Sequence, residues 1–203
     1  KYAFGNRLHI RTLEEVDVKY FILYDDMMNR QYIVIRGTAS LENAKIDGQY
    51  KKVHNKRLSA FVDQEKIFND KLDVWVHKGF NRTSDAVYQD IKSRLERRYT
   101  TIVTGHSLGG AAALLVYLNL FVDGYKLGML YTFGQPKALS EDGVLKFRCI
   151  PCIRFVNERD LVPLVPPSKF AFGLFTSIPL WSHGMYRHLG DEVIILSDSD
   201  YVY

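Results

Sequence analysis

The chain has 203 residues, 47% of them hydrophobic and 25% charged, with a formal net charge of +4. This fits one ordinary globular domain with a sizeable core. The basic residues are scattered rather than striped, which argues against nucleic acid as a partner, while the mild positive excess suits an anionic lipid surface. The longest apolar runs, such as residues 111–118, fall well short of the ~18 needed to span a bilayer.

In chain order, residues 18–24 and 32–35 are β-like runs separated by Asp25-Asp26-Met27-Met28-Asn29-Arg30, the pattern of an antiparallel hairpin. Arg36-Gly37-Thr38 stops the second run. Residues 39–73 show no steady period and read as a mobile excursion with a short helix near 40–48; so long an unpatterned segment suits a cover over a site. Residues 74–80 read as a short strand and turn. A helix is predicted from Ser84, with Val87, Ile91 and Leu95 on one face and Arg97-Arg98 in its last turn.

Next come a strand at 101–104, an apolar helix over 108–122 closed by Asp123-Gly124, and a strand at 127–133 ending at Gly134-Gln135-Pro136. A short helix from Ser140 and a strand at 153–156 follow. Pro163, Pro166 and Pro167 break regular structure before a last strand at 193–196. The alternation predicts an α/β fold: a mostly parallel sheet flanked by helices and entered by an antiparallel hairpin. Cys149 and Cys152 form a C-x-x-C that leads into a strand and has no companion ligands, so they read as ordinary thiols rather than a redox or zinc site.

The chemistry centres on Thr104-Gly105-His106-Ser107-Leu108-Gly109-Gly110, a Gly-x-Ser-x-Gly at a predicted strand-to-helix junction. There Ser107 would stand on a strained turn, and the helix from Leu108 would aim its amides at developing negative charge. A serine hydroxyl needs a base, and the base needs an acid. In this arrangement both follow the serine in chain order. Asp160, in a loop just after a strand, fits the acid, with Glu158 competing. Only His183 and His188 lie beyond Asp160; His9, His54 and His77 precede the serine, and His106 should point away from the reacting centre. The oxyanion would take the Leu108 amide and a second donor after an early strand, where Thr38 offers an amide and a hydroxyl.

Five stretches then occur in order: Ile33-Val34-Ile35-Arg36-Gly37-Thr38, Val76-His77-Lys78-Gly79-Phe80, Gly105-His106-Ser107-Leu108-Gly109-Gly110, Tyr131-Thr132-Phe133-Gly134-Gln135-Pro136 and Phe155-Val156-Asn157-Glu158-Arg159-Asp160-Leu161-Val162-Pro163. Together they resemble the class 3 lipases, the fungal triacylglycerol lipase type. The resemblance implies an α/β-hydrolase fold over residues 1–203, Ser107 as nucleophile, Asp160 as acid, Thr38 with Leu108 as oxyanion hole, and a lid within 39–73. His188-Leu189-Gly190-Asp191-Glu192 resembles the family's His-x-Gly-x-Glu stretch, which is not its general base. The family's catalytic histidine comes a few tens of residues further on. The expectation is a base beyond Tyr203 in a chain missing terminal segments, with His188, then His183, as the candidates inside it.

The reading is a serine esterase or lipase that cleaves lipid esters through an acyl-enzyme, without metal or organic cofactor. Triacylglycerol, monoacylglycerol and phospholipid all remain open as substrates. Its partner would be a lipid or other ester at a membrane or lipid-droplet surface, which favours a secreted or membrane-peripheral protein over a cytoplasmic one. Phe170, Phe172, Leu174, Phe175, Ile178, Leu180 and Trp181 would line an acyl groove or pack as a local cluster. The alternative is a catalytically silent lipase-like binding module without a working histidine; a peptidase or thioesterase is a third reading. Asn81-Arg82-Thr83 is a formal glycosylation sequon.

Overall fold

The computed structural model describes residues 7–37, 51–62, 72–165 and 186–196. The chain enters as an antiparallel meander of β1 (Leu8–Leu13), β2 (Val18–Asp25) and β3 (Arg30–Arg36). The predicted hairpin is the β2–β3 pair. β1 adds an edge strand that the sequence reading omitted, with Leu8 and Ile10 exposed. Asp25 Oδ1 accepts the Met28 amide and Asn29 takes a positive φ, so short polar side chains close the turn.

Residues 52–59 lie inside the segment expected to be an excursion, yet they are built into the body. β4 (Lys52–His54) leads to a single helical turn, α1 (Lys56–Ser59), which Asn55 caps by accepting the Leu58 amide and which buries Leu58 completely. Isolated apolar residues hid this from a search for periodicity. The helix expected near 40–48 and most of the proposed lid lie outside the described residues.

After β5 (Trp75–His77) the helix α2 (Lys78–Ile91) begins six residues earlier than predicted. The cap is His77, whose Nδ1 accepts the Phe80 amide, whereas Ser84 sits mid-helix and donates back to the Asn81 carbonyl. Val87, Ile91 and Leu95 are buried as expected, although the helix proper stops at Ile91. The sequon asparagine is inside this helix, donating to Asp85 and accepting from Asn55.

The remaining elements are β6 (Thr100–His106), α3 (Leu108–Val122), β7 (Leu127–Phe133), β8 (Leu139–Ser140), α4 (Glu141–Lys146), β9 (Cys152–Asn157), β10 (Tyr186–Arg187) and β11 (Asp191–Ile195). The main sheet has the order β1-β2-β3-β6-β7-β9-β11 and is parallel from β3 onward. A smaller antiparallel sheet, β10-β8-β5-β4, lies beside it. Its two-residue strands are too short to carry a period-2 signal.

α3 packs on β3, β6 and β7, and α2 packs on α3. Leu114, Leu115, Val116, Leu118 and Leu120 are all 0% exposed. At about 1.5–3 kcal/mol each, their burial outweighs the ~1 kcal/mol that Gly109 and Gly110 each take from helix propensity. Both cysteines are free; burial pushes the Cys152 thiol up to about 12, so it is inert, and Cys149 is exposed. No helix among the described residues is long and apolar enough to cross a membrane.

Candidate active site

β6 ends on the turn that carries Ser107. The residue has φ 54° and ψ −128°, a region that an L side chain rarely occupies and that costs about 1–3 kcal/mol. Two hydrogen bonds hold it there: its amide donates to the Phe133 carbonyl at 2.8 Å, and its carbonyl accepts the Gly110 amide at 2.9 Å. The turn is also compressed. A Cβ on Gly105 would strike the backbone of Gly109, and one on Gly109 would strike Ile35 and Gly37 on β3 and its exit. Glycine is therefore required for close approach.

Leu108 opens α3, so its amide belongs to the first turn of a helix, where N–H groups lack intrahelical acceptors and the dipole favours negative charge. Gly37 lies against the elbow: a Cβ there would be 2.7 Å from the His106 carbonyl and 3.3 Å from Ser107 Cβ. Thr38, the next residue, is outside the described residues, as are His183 and the aromatic residues 170–181.

Asp160 follows β9, two strands from β6. Its amide donates to the Asn157 carbonyl at 3.0 Å and its Oδ1 accepts the Val162 amide at 2.9 Å. Oδ2 reaches over the end of β7, 2.5 Å from where a Cβ on Gly134 would stand; Gly134 also has φ +55°, so glycine is required there twice over. The same strand end receives the Ser107 amide through Phe133. Ser107 and Asp160 thus flank one turn at the carboxyl edge of the sheet, where ligands of open α/β sheets gather. Glu158, the competing acid, instead lies 3.4 Å from Arg159.

His106 Nε2 lies 3.9 Å from the Gly134 Cβ position that Asp160 Oδ2 also approaches. His188 is not joined to Ser107. Its Nε2 is 2.8 Å from the Pro163 carbonyl, and the buried Ser107 Oγ has no hydrogen-bond partner among the described residues. Burial, the Arg154 guanidinium and the Lys137 ammonium lower the His188 pKa to about 4, against a smaller opposing effect of Pro163.

Sequence reasoning missed two buried polar groups, one after β7 and one on β9. Gln135 is 1% exposed with both amide atoms unpaired among the described residues, and Arg154 leaves Nε and Nη1 unpaired while Nη2 donates to Glu192 at 3.1 Å. A polar residue inside a predicted buried strand was the available signal for Arg154.

A second serine–histidine–aspartate grouping is not a relay. Ser59 Oγ and Asp73 Oδ1 approach the same nitrogen, His54 Nε2, at 3.0 and 3.2 Å. A relay needs them on opposite ring nitrogens.

Comparison with known proteins gives the family and the fold. The family model described as lipase (class 3) matches residues 32–170. The lipase of Rhizopus niveus is 31% identical over 81% of this chain and 42% of its own length. That of Rhizomucor miehei is 32% identical over 77% and 43%. The chain thus spans about two-fifths of these curated relatives. The crystal structure of the lipase from Rhizopus microsporus var. chinensis superposes with a TM-score of 0.67 at 29% identity, covering 93% of this chain and 61% of that one. A strained serine between a parallel strand and a buried helix, an aspartate across the neighbouring strand end, and a family match over most of the sheet lead to one assignment: the chain belongs to the class 3 lipase family and has the α/β-hydrolase fold.

Proposed function

We propose that the protein is a carboxylic ester hydrolase acting on lipid esters, with Ser107 as the nucleophile of an acyl-enzyme mechanism. The observation that carries this is the backbone of Ser107, held at φ 54° between β6 and α3 with its hydroxyl engaged by no partner among the described residues. Strain kept at one serine in an otherwise regular strand-to-helix connection suits a nucleophile. Ser107 Oγ attacks the ester carbonyl. The oxyanion is received by the Leu108 amide and by Thr38, a role supported by the contact of Gly37 with the elbow. Asp160 orients the histidine that takes the serine proton, and water then releases the acyl group. The chemistry needs no metal or organic cofactor. Membership of the lipase family, together with a 28% identical relative named as a chloroplastic phospholipase A1 in Arabidopsis thaliana, supports lipid esters over amides.

One observation favours the catalytically silent reading: among the described residues no histidine is hydrogen-bonded to Ser107. The experiment separates the two. The hydrolase reading expects turnover of short-chain nitrophenyl esters, labelling of Ser107 by a fluorophosphonate, and loss of both by at least ~10³-fold in Ser107→Ala. An intact protein that neither labels nor turns over would be the silent module.

A further inference from the structure

We propose that His188, which the resemblance already sets apart from the family's general base, is a positioning residue that holds the loop bearing Asp160 through the Pro163 carbonyl. The proposal rests on the serine-hydrolase reading above.

A carbonyl oxygen only accepts, so the 2.8 Å contact requires the proton of the neutral ring to sit on Nε2. The other nitrogen, Nδ1, is then bare. It is buried and meets no partner among the described residues, and Ser107 Oγ is likewise unpartnered, so the two do not meet. A general base must present its bare nitrogen to the hydroxyl it deprotonates. His188 presents a donor instead, and presents it to the loop.

That loop is fixed carbonyl by carbonyl. Pro163, Leu164 and Val165 follow one another, and each carbonyl is taken by a donor from elsewhere in the chain. His188 Nε2 takes the first, Lys137 Nζ the second at 3.1 Å, and the Lys137 amide the third at 2.9 Å. Asp160 stands three residues before Pro163, tied to the same segment through the bond from the Val162 amide to its Oδ1. Of the three clamps, that of His188 stands nearest in the chain to Asp160. His188 is itself seated by β10, whose pairing with β8 aligns Arg187 with Leu139. Two cationic groups face it, Arg154 from β9 and Lys137 from the segment after β7, and both oppose its protonation. The neutral donor is therefore kept throughout the pH range in which a catalytic histidine must gain and lose a proton.

The test compares His188→Gln with His188→Ala in the intact protein. Glutamine can place an N–H against the Pro163 carbonyl and cannot act as a base. The readouts are kcat and KM for a nitrophenyl ester and the rate at which a fluorophosphonate labels Ser107. The expected pattern is a His188→Gln protein within about threefold of wild type, and a His188→Ala protein with kcat and labelling down about 10–100-fold at a nearly unchanged KM. If His188→Gln is as inactive as Ser107→Ala, the residue is the base and the proposal fails. Wild-type kinetics in His188→Ala would also overturn it. Should the alanine variant not fold, His188→Asn takes its place: its shorter amide does not reach the Pro163 carbonyl, so the same loss of about 10–100-fold is expected there and wild-type kinetics would overturn the proposal. If the wild-type protein neither labels nor turns over, it is the serine-hydrolase reading that has failed, and the positioning role falls with it.

Discussion

Two buried glutamines separate the molecule into a part arranged for stability and a part arranged for something else. Gln31, on β3, is 0% exposed; its Nε2 donates to the Glu96 carbonyl at 3.1 Å and to Thr101 Oγ1 at 2.8 Å, and its Oε1 accepts the Glu96 amide at 3.0 Å. Gln135, after β7, is as deeply buried and has no partner among the described residues for either atom. The contrast extends outward. Around Gln31, Asp90 collects Tyr20, Arg11 and Arg94, and Tyr24 donates to the Arg94 carbonyl. The other buried side-chain atoms left unpaired among the described residues belong to Ser107, Thr132, Arg154 and His188, at the end of β6, on β7, on β9 and just after β10. Polar groups are tied down away from the reacting edge and held in reserve at it, as expected where a site must exchange partners with a substrate.

The sharpest way to break this comparison is to replace both glutamines with leucine. Gln31→Leu strands the Glu96 backbone groups and the Thr101 hydroxyl, and should lower unfolding free energy by about 2–4 kcal/mol. Gln135→Leu removes an amide that bonds nothing among the described residues, and should change stability by no more than ~1 kcal/mol. Urea denaturation measures both. Equal losses would mean that Gln135 is satisfied by buried water, and the two halves would then differ only in what satisfies them.

Acid should take the halves apart in sequence. Burial lowers the pKa of His77 to about 4, and burial with Arg154 does the same to His188. Between their unfolded value of 6.5 and about 4 the unfolded chain binds more protons, so stability falls as pH falls through that window. Asp90 behaves differently. Burial opposes its ionisation, but the bonds from Tyr20 and Arg11 prevail and hold its pKa below the usual 3.8, so its contribution survives until pH drops beneath that value. Thermal melts should lose stability on the order of 1–2 kcal/mol per histidine between pH 7 and 4. The loss should be smaller in His77→Gln and in His188→Gln. A loss that begins only below pH 3.8 would place the acid-sensitive groups in the Asp90 cluster instead.

Much of this was legible in the sequence because it is local. α3, β7 and the Ser107 turn follow from an apolar run bounded by glycines, and β2, β3, β6, β9 and β11 announce themselves by β-branched residues. What escaped was set by distant partners. β4, β8 and β10 exist only by pairing with β5 or with one another, while the start of α2 at Lys78 is the local exception, set by the adjacent His77 accepting the Phe80 amide. That the atoms of Gln135 and Arg154 are orphaned among the described residues was hidden, even where a polar residue in a predicted buried strand pointed to Arg154: a residue type states what it can bond, while only the fold decides whether anything is there. His188 shows the limit most clearly. Its place after Asp160 in the chain made it a candidate base, whereas its hydrogen bond to the Pro163 carbonyl could be seen only in the fold.

The smallest predicted effect isolates the strain at the elbow from the chemistry. Ser107→Ala and Ser107→Gly both delete the hydroxyl, so both should be inactive. They differ in the backbone. Alanine keeps a Cβ at φ 54° and so keeps the strain, whereas glycine accepts that angle readily. Glycine also gains entropy in the unfolded chain, which opposes the relief. The net expectation is that Ser107→Gly is more stable than Ser107→Ala by about 1 kcal/mol, measured by the denaturation midpoint at an unchanged m-value. Glycine less stable than alanine would mean that the turn is no more costly than any other strand-to-helix connection. The unpaired buried atoms among the described residues would then be what remains of the stability given up for the site.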